Sequence, residues 1–216
     1  LFILKIRYRF SSFEKTKKIL KSSIEFFLAR FFTMLYTQGS TYGLSFFLSF
    51  DLVAIYSIAL DFYKLGLSFI GSIARVLFTT LSSTRDFVLL KNVTLLCLLF
   101  HLIMVPSVFF YGGIILDELF AFEVELLFDL SLLLYVSLTF VIINSFWGYP
   151  LFSALNRDRQ GHFCLLVSAS AYYLALCIAI ASSQLGIMNA VLCIIFAEFI
   201  GFLMRLVFAI RNKIIP

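Results

Sequence analysis

The stretch "LGIMNAVLCIIFAEFIGFLMRLVFAIRNK", residues 185–213, decides the fold. Its side chains dissolve in hydrocarbon almost throughout, and it is long enough to cross roughly 30 Å of bilayer as one helix. Yet Glu198 stands at its centre and Arg205 lies two turns further on. Composition extends that reading to the whole chain. Apolar residues make up 62% and charged residues 13%, and the mean hydropathy is +1.04. A soluble domain carries roughly 25% charged and about 45–50% apolar residues. No segment is polar and patterned enough to fold apart in water, so the fold class expected is all-α, a polytopic membrane protein.

Outward from 185–213, spanning length is reached about 43–60, 65–82, 88–110, 119–147 and 163–183, with 187–210 as the last helix. About six transmembrane helices are therefore expected, in a domain over 43–216. Ahead of it, residues 1–42 read as a basic amphipathic segment on a membrane surface. The first 24 residues hold Lys5, Arg7, Arg9, Lys15, Lys17, Lys18 and Lys21 against Glu14 alone. Their composition suits a transit peptide or a surface helix. Residues 25–37, "EFFLARFFTMLYT" with Arg30 inside, are too short to span and continue that element. Lys15, Lys17, Lys18 and Lys21 are the candidates for contact with headgroups of cardiolipin or another anionic lipid.

Loop charges give an independent check. If the chain crosses once per span, the side of the basic N-terminus also receives Arg85, Lys91, Arg157, Arg159, Arg211 and Lys213. The other side receives Asp61 and Lys64, the acidic stretch from Asp117, and the uncharged turn "SSQLG". That is the pattern of the positive-inside rule, and six crossings put both termini on one side. Phenylalanine supplies 28 of 216 residues, and its codons begin UU, as a T-rich organelle genome would favour. The chain opens on Leu1, which suggests a removed presequence or a non-standard start codon. The location expected is the mitochondrial inner membrane, with both termini facing the matrix and other membrane subunits of a large complex as partners.

Ionisable residues inside spans are costly and need a partner, water or a neutral form. Asp51 and Arg75 fall in the first two spans, and an ion pair across a hairpin is expected. His101 is central in the third span. Glu198 and Arg205 are about 10 Å apart along one helix face by helix rise, so Arg205 is expected to snorkel towards the positive side. Together Glu198, Arg205, His101, Asp51 and Arg75 are the candidates for a proton pathway; the alternative is that they fasten helices or subunits together. In "LDELFAFEVELLFDL", 116–130, Glu118, Glu125 and Asp129 fall within about 40° of one another at helical periodicity. They form either the exposed start of a projecting helix, the preferred reading, or the wall of an aqueous half-channel.

Other chemistry is not supported. There is no Gly-rich phosphate loop and no nucleophile elbow. Cys97, Cys164, Cys177 and Cys193 lie in apolar runs without a CxxC pair and read as buried thiols. His101 and His162 differ in depth and suit no shared haem. No metal, no cofactor and no nucleic acid is expected, and any enzymatic role is at most that of a non-catalytic subunit.

The last 70 residues resemble the C-terminal hairpin of ATP synthase subunit a. That family has a Gly-His pair late in its penultimate helix, an acidic residue about 35 positions later on the last helix, and a Gln seven residues beyond. Here Gly161-His162 precedes Glu198, and Arg205 stands where the Gln would be. The resemblance implies a proton channel in which Glu198 exchanges protons beside a rotor. The family's essential arginine, eight residues before the Gly-His pair, is replaced by Ser153. "GIMNAVLCIIFAEF" is also similar to the glutamate-bearing helix of the small hydrophobic subunit of respiratory complex I, where Asn precedes Glu by nine residues. That implies a membrane subunit of a respiratory complex. A lipid-binding structural subunit is the third reading.

Overall fold

The computed structural model describes residues 39–120, 124–182 and 185–211, with scattered positions between 16 and 34. Every regular element among them is an α-helix: α1 (Gly39–Leu44), α2 (Phe50–Thr84), α3 (Phe87–Leu119), α4 (Val124–Phe146), α5 (Tyr149–Ala154), α6 (Asp158–Ala181) and α7 (Ile187–Arg211). The chain is an all-helical polytopic membrane protein. Among the described residues, five spans are long and apolar enough to cross a bilayer, with α4 and α5 together making one of them.

The count of five corrects the expected six, and the reason is local. The expected spans 43–60 and 65–82 leave "DFYK" at 61–64, with its two charges, as a loop between them. Asp61 and Lys64 instead pair along the helix surface, Lys64 Nζ donating to Asp61 Oδ1 at 2.7 Å. No proline or cap interrupts the backbone there, so α2 runs unbroken for 35 residues, about 52 Å by helix rise. It ends at Arg85, whose φ of 54° is left-handed and whose N–H bonds the Leu81 carbonyl. Asp86 then caps α3, its carboxylate accepting from the Val88 and Leu89 N–H groups, both at 3.0 Å. Such a cap satisfies donors that a helix start otherwise leaves open.

Asp51 and Arg75 consequently share one helix and are about 36 Å apart by its rise, so the expected hairpin ion pair does not exist. Asp51 lies exposed in the first turn of α2, where the helix dipole favours an anion. Arg75 is exposed and donates to Ser72 Oγ at 3.0 Å. The acidic face is also divided. Phe120 leaves the helical region (φ −130°, ψ 133°), so Glu118 ends α3 while Glu125 and Asp129 begin α4. All three are exposed, but they do not form the single acidic helix face that was expected.

The central helix is α4, packed against α2, α3 and α7, while α6 and α7 form a hairpin. Pairings fix the directions. Thr94 meets Trp147, His101 meets Tyr135 and Gly112 approaches Phe128, so α3 runs antiparallel to α4. Gly66 meets Leu138 and Phe78 meets Tyr149, so α2 is parallel to α4. Where α2 crosses α4 the helices nearly touch: a Cβ on Gly66 would lie 2.5 Å from a Leu138 methyl. Small residues permit such approaches between membrane helices, and Ala190, Ala197, Gly201 and Ala209 do the same along the buried side of α7.

The bundle therefore has two unlike ends. One gathers Arg85, Lys91, Arg157, Arg159 and Arg211; the other gathers Asp51, Asp117, Glu118, Glu125 and Asp129. Residue 50 and Arg211 lie at opposite ends, since five spans separate them. The segment holding Lys15, Lys18 and Lys21 lies outside the described residues, as does Lys213; Lys17 is helical and exposed.

Candidate functional site: a buried charged cluster between α4, α6 and α7

Glu198 points into the chain's own bundle and is 8% exposed; Arg205 is 4% exposed. Asn144 of α4 joins them. Its side-chain NH2 donates to Glu198 Oε2 at 2.8 Å and to the Glu198 backbone carbonyl at 2.9 Å. Its Oδ1 accepts from Arg205 Nη1 at 2.7 Å. One carboxamide thus uses both donors and its acceptor to bridge an acid and a base seven residues apart. The expectation that Arg205 would snorkel to the surface is overturned, because Asn144 offers an acceptor within the bundle and two glycines leave room.

Those glycines shape the slot. A Cβ on Gly201 would meet Ser168 Oγ and lie 2.9 Å from Arg205 Nη1; a Cβ on Gly148 would meet the Asn144 carbonyl oxygen and lie 3.1 Å from Arg205 Nε. The guanidinium is therefore held between two backbones that bring no side chain of their own. Ser168 Oγ donates to the Cys164 carbonyl at 3.0 Å, and Cys164 is within electrostatic reach of Arg205. His162 is buried in the first turns of α6, its ring 5.7 Å from that of Tyr149. The Gly161-His162 pair thus opens the penultimate helix, near the basic end, instead of standing late in it.

A second polar group lies further along the same interface. Tyr56 of α2 donates to Ser40 Oγ of α1 at 3.1 Å, and Tyr172 of α6 lies within electrostatic reach of both. Both tyrosines are fully buried.

Of the residues singled out in the sequence, only Glu198 and Arg205 come together. His101 is buried against Tyr135, ring centroids 4.7 Å apart. Tyr135 and Asn144 are nine residues apart on α4, about 13 Å and half a helical turn in azimuth, so His101 is on the other side of the central helix. Asp51, Arg75, Glu118, Glu125 and Asp129 are all on the exterior. A cavity of about 260 Å³ between α2, α3 and α4, lined by Phe62, Val108, Leu116, Phe128 and Leu138 among others, has no charged side chain on its wall. What the sequence reading missed were uncharged polar residues: Asn144, Ser168, Tyr56 and Tyr172. Asn144 is an amide inside an apolar span, uncharged and so without the cost that makes an ionisable group stand out there. Comparison with protein families, characterised proteins and solved structures finds no match to this chain.

Proposed function

We propose that the chain is a proton-translocating membrane protein in which Glu198 carries the proton and Arg205, linked to it through Asn144, responds to its charge. The observation behind this reading is the bridge itself: an acid and a base, both buried, sharing one amide inside an apolar bundle. Fastening α4 to α7 would need no charges, because a buried ion pair is no more stabilising than well-packed apolar side chains. Ionisable groups kept at membrane depth instead mark ion and proton pathways. With Glu198 ionised, its charge offsets that of Arg205. When Glu198 takes a proton, that offset is lost, and a conformation that admits water to Arg205 gains population. Proton uptake is thereby coupled to movement of α7 against α4.

A second reading makes the chain a divergent ATP synthase subunit a of the mitochondrial inner membrane, surrounded by other membrane subunits. One observation favours it: Arg205 reaches the acid's partner from the last helix, supplying the cation that Ser153 does not. It requires Glu198 to be presented to a neighbouring rotor, whereas the chain's own helices enclose it, so the first reading is preferred. The test is proton flux. The full chain is reconstituted in vesicles containing a pH-sensitive dye, and a membrane potential is imposed. Flux should fall at least about tenfold with Glu198→Gln, which keeps the shape and removes the titrating group. Flux that survives the substitution unchanged would leave Glu198 a structural residue.

A further inference from the structure

We infer that four buried hydroxyls, Ser168, Tyr172, Tyr56 and Ser40, form the arm along which protons pass between Glu198 and the acidic end of the bundle. This rests on the reading of Glu198 as the proton carrier. The hydroxyls come from three helices and converge in one line. Tyr56 and Ser40 are joined at 3.1 Å, and Tyr172, fully buried beside them, is within electrostatic reach of both. One turn along α6, Ser168 lies on the same buried face, as the spacing of four residues requires. Its oxygen abuts Gly201, where Asn144 Nδ2 and Arg205 Nη1 also converge.

Packing alone gives no reason for these oxygens. Phenylalanine and alanine would fill the same space without withdrawing a hydroxyl from water. The line also has a direction. Ser40 sits on α1, just before α2 begins, at the end of the bundle that bears Asp51, Asp117, Glu118, Glu125 and Asp129. Exposed carboxylates concentrate cations, protons included, at that mouth. Along the arm each hydroxyl takes a proton on its oxygen and releases the one it held, so only O–H bonds form and break and every residue is restored. Tyr172 and Ser168 are one turn apart along the backbone, about 6 Å, and the step between their hydroxyls requires a water molecule. A second water makes the step from Ser168 to Glu198, which becomes the neutral acid. Arg205 keeps its proton throughout.

The experiment uses the same vesicles and the full chain. Tyr172→Phe removes one oxygen and keeps the ring, and should lower proton flux at least about tenfold while leaving the unfolding midpoint unchanged. Ser168→Ala does the same with a smaller change and serves if Tyr172→Phe does not insert. If the wild type conducts and Glu198→Gln abolishes conduction, but Tyr172→Phe and Ser168→Ala conduct as the wild type does, the hydroxyl arm is wrong and the reading of Glu198 stands. If the wild type does not conduct, the reading of Glu198 fails and the arm with it.

Discussion

Asn144 is central to the site, because its one carboxamide bonds both charged side chains. Replacing it with leucine keeps the volume but leaves the carboxylate and the guanidinium buried without their bridge. Orphaning a buried charge costs about 3–5 kcal/mol, and Asn144→Leu should lower the unfolding free energy in mixed micelles by that amount. A loss below about 1 kcal/mol, the size of an exposed pair, would mean that the cluster is not held as described. At this scale the sequence was only partly informative. Glu198 and Arg205 stood out because charges are rare in an apolar helix, and their spacing put them on one face. Their connection was invisible, since the bridging residue is 54 positions upstream of Glu198 and its contact depends on which helix lies beside α7. The slot between Gly148 and Gly201 was equally hidden, because a glycine's purpose in a close approach appears only when the neighbouring backbone is known.

Among the elements, hydropathy located every span after residue 84, and loop charges paired their ends correctly. It fails in α2, where Asp61 and Lys64 separate two expected spans that are one helix. Asp61 and Lys64 are three residues apart, a spacing that lets them neutralise each other on one helix surface, and an exposed pair of this kind does not end a helix. The consequence is measurable. Labels placed at positions 51 and 75 for electron–electron distance measurement should report about 36 Å, the rise of 24 residues of continuous helix. A distance under about 15 Å, as expected of antiparallel neighbours packed at about 10 Å, would restore the hairpin and the ion pair. The division of the acidic stretch between α3 and α4 was likewise unreadable. The first helix, α3, ends where Phe120 leaves helical geometry, and nothing in "LFAFEV" marks a break.

For the whole molecule, composition alone was enough to identify a polytopic helical membrane protein, because such a chain cannot satisfy its backbone in hydrocarbon any other way than by helices or a closed barrel. The bundle adds an axis. Basic groups collect at one end and acidic groups at the other, and the buried polar residues, from His162 and Arg205 through Asn144, Glu198 and Ser168 to Tyr172, Tyr56 and Ser40, lie between the two. That alignment underlies the proposal that Glu198 is a proton carrier, which requires its carboxyl to change protonation during proton flux. Infrared difference spectroscopy of the full chain in vesicles, recorded as a proton gradient is imposed, observes this directly through the C=O stretch of the neutral acid. A carboxylic-acid band should rise and decay with conduction in the wild type and be missing in Glu198→Gln. A wild-type spectrum without such a band while protons flow, or one that persists in Glu198→Gln, would contradict it.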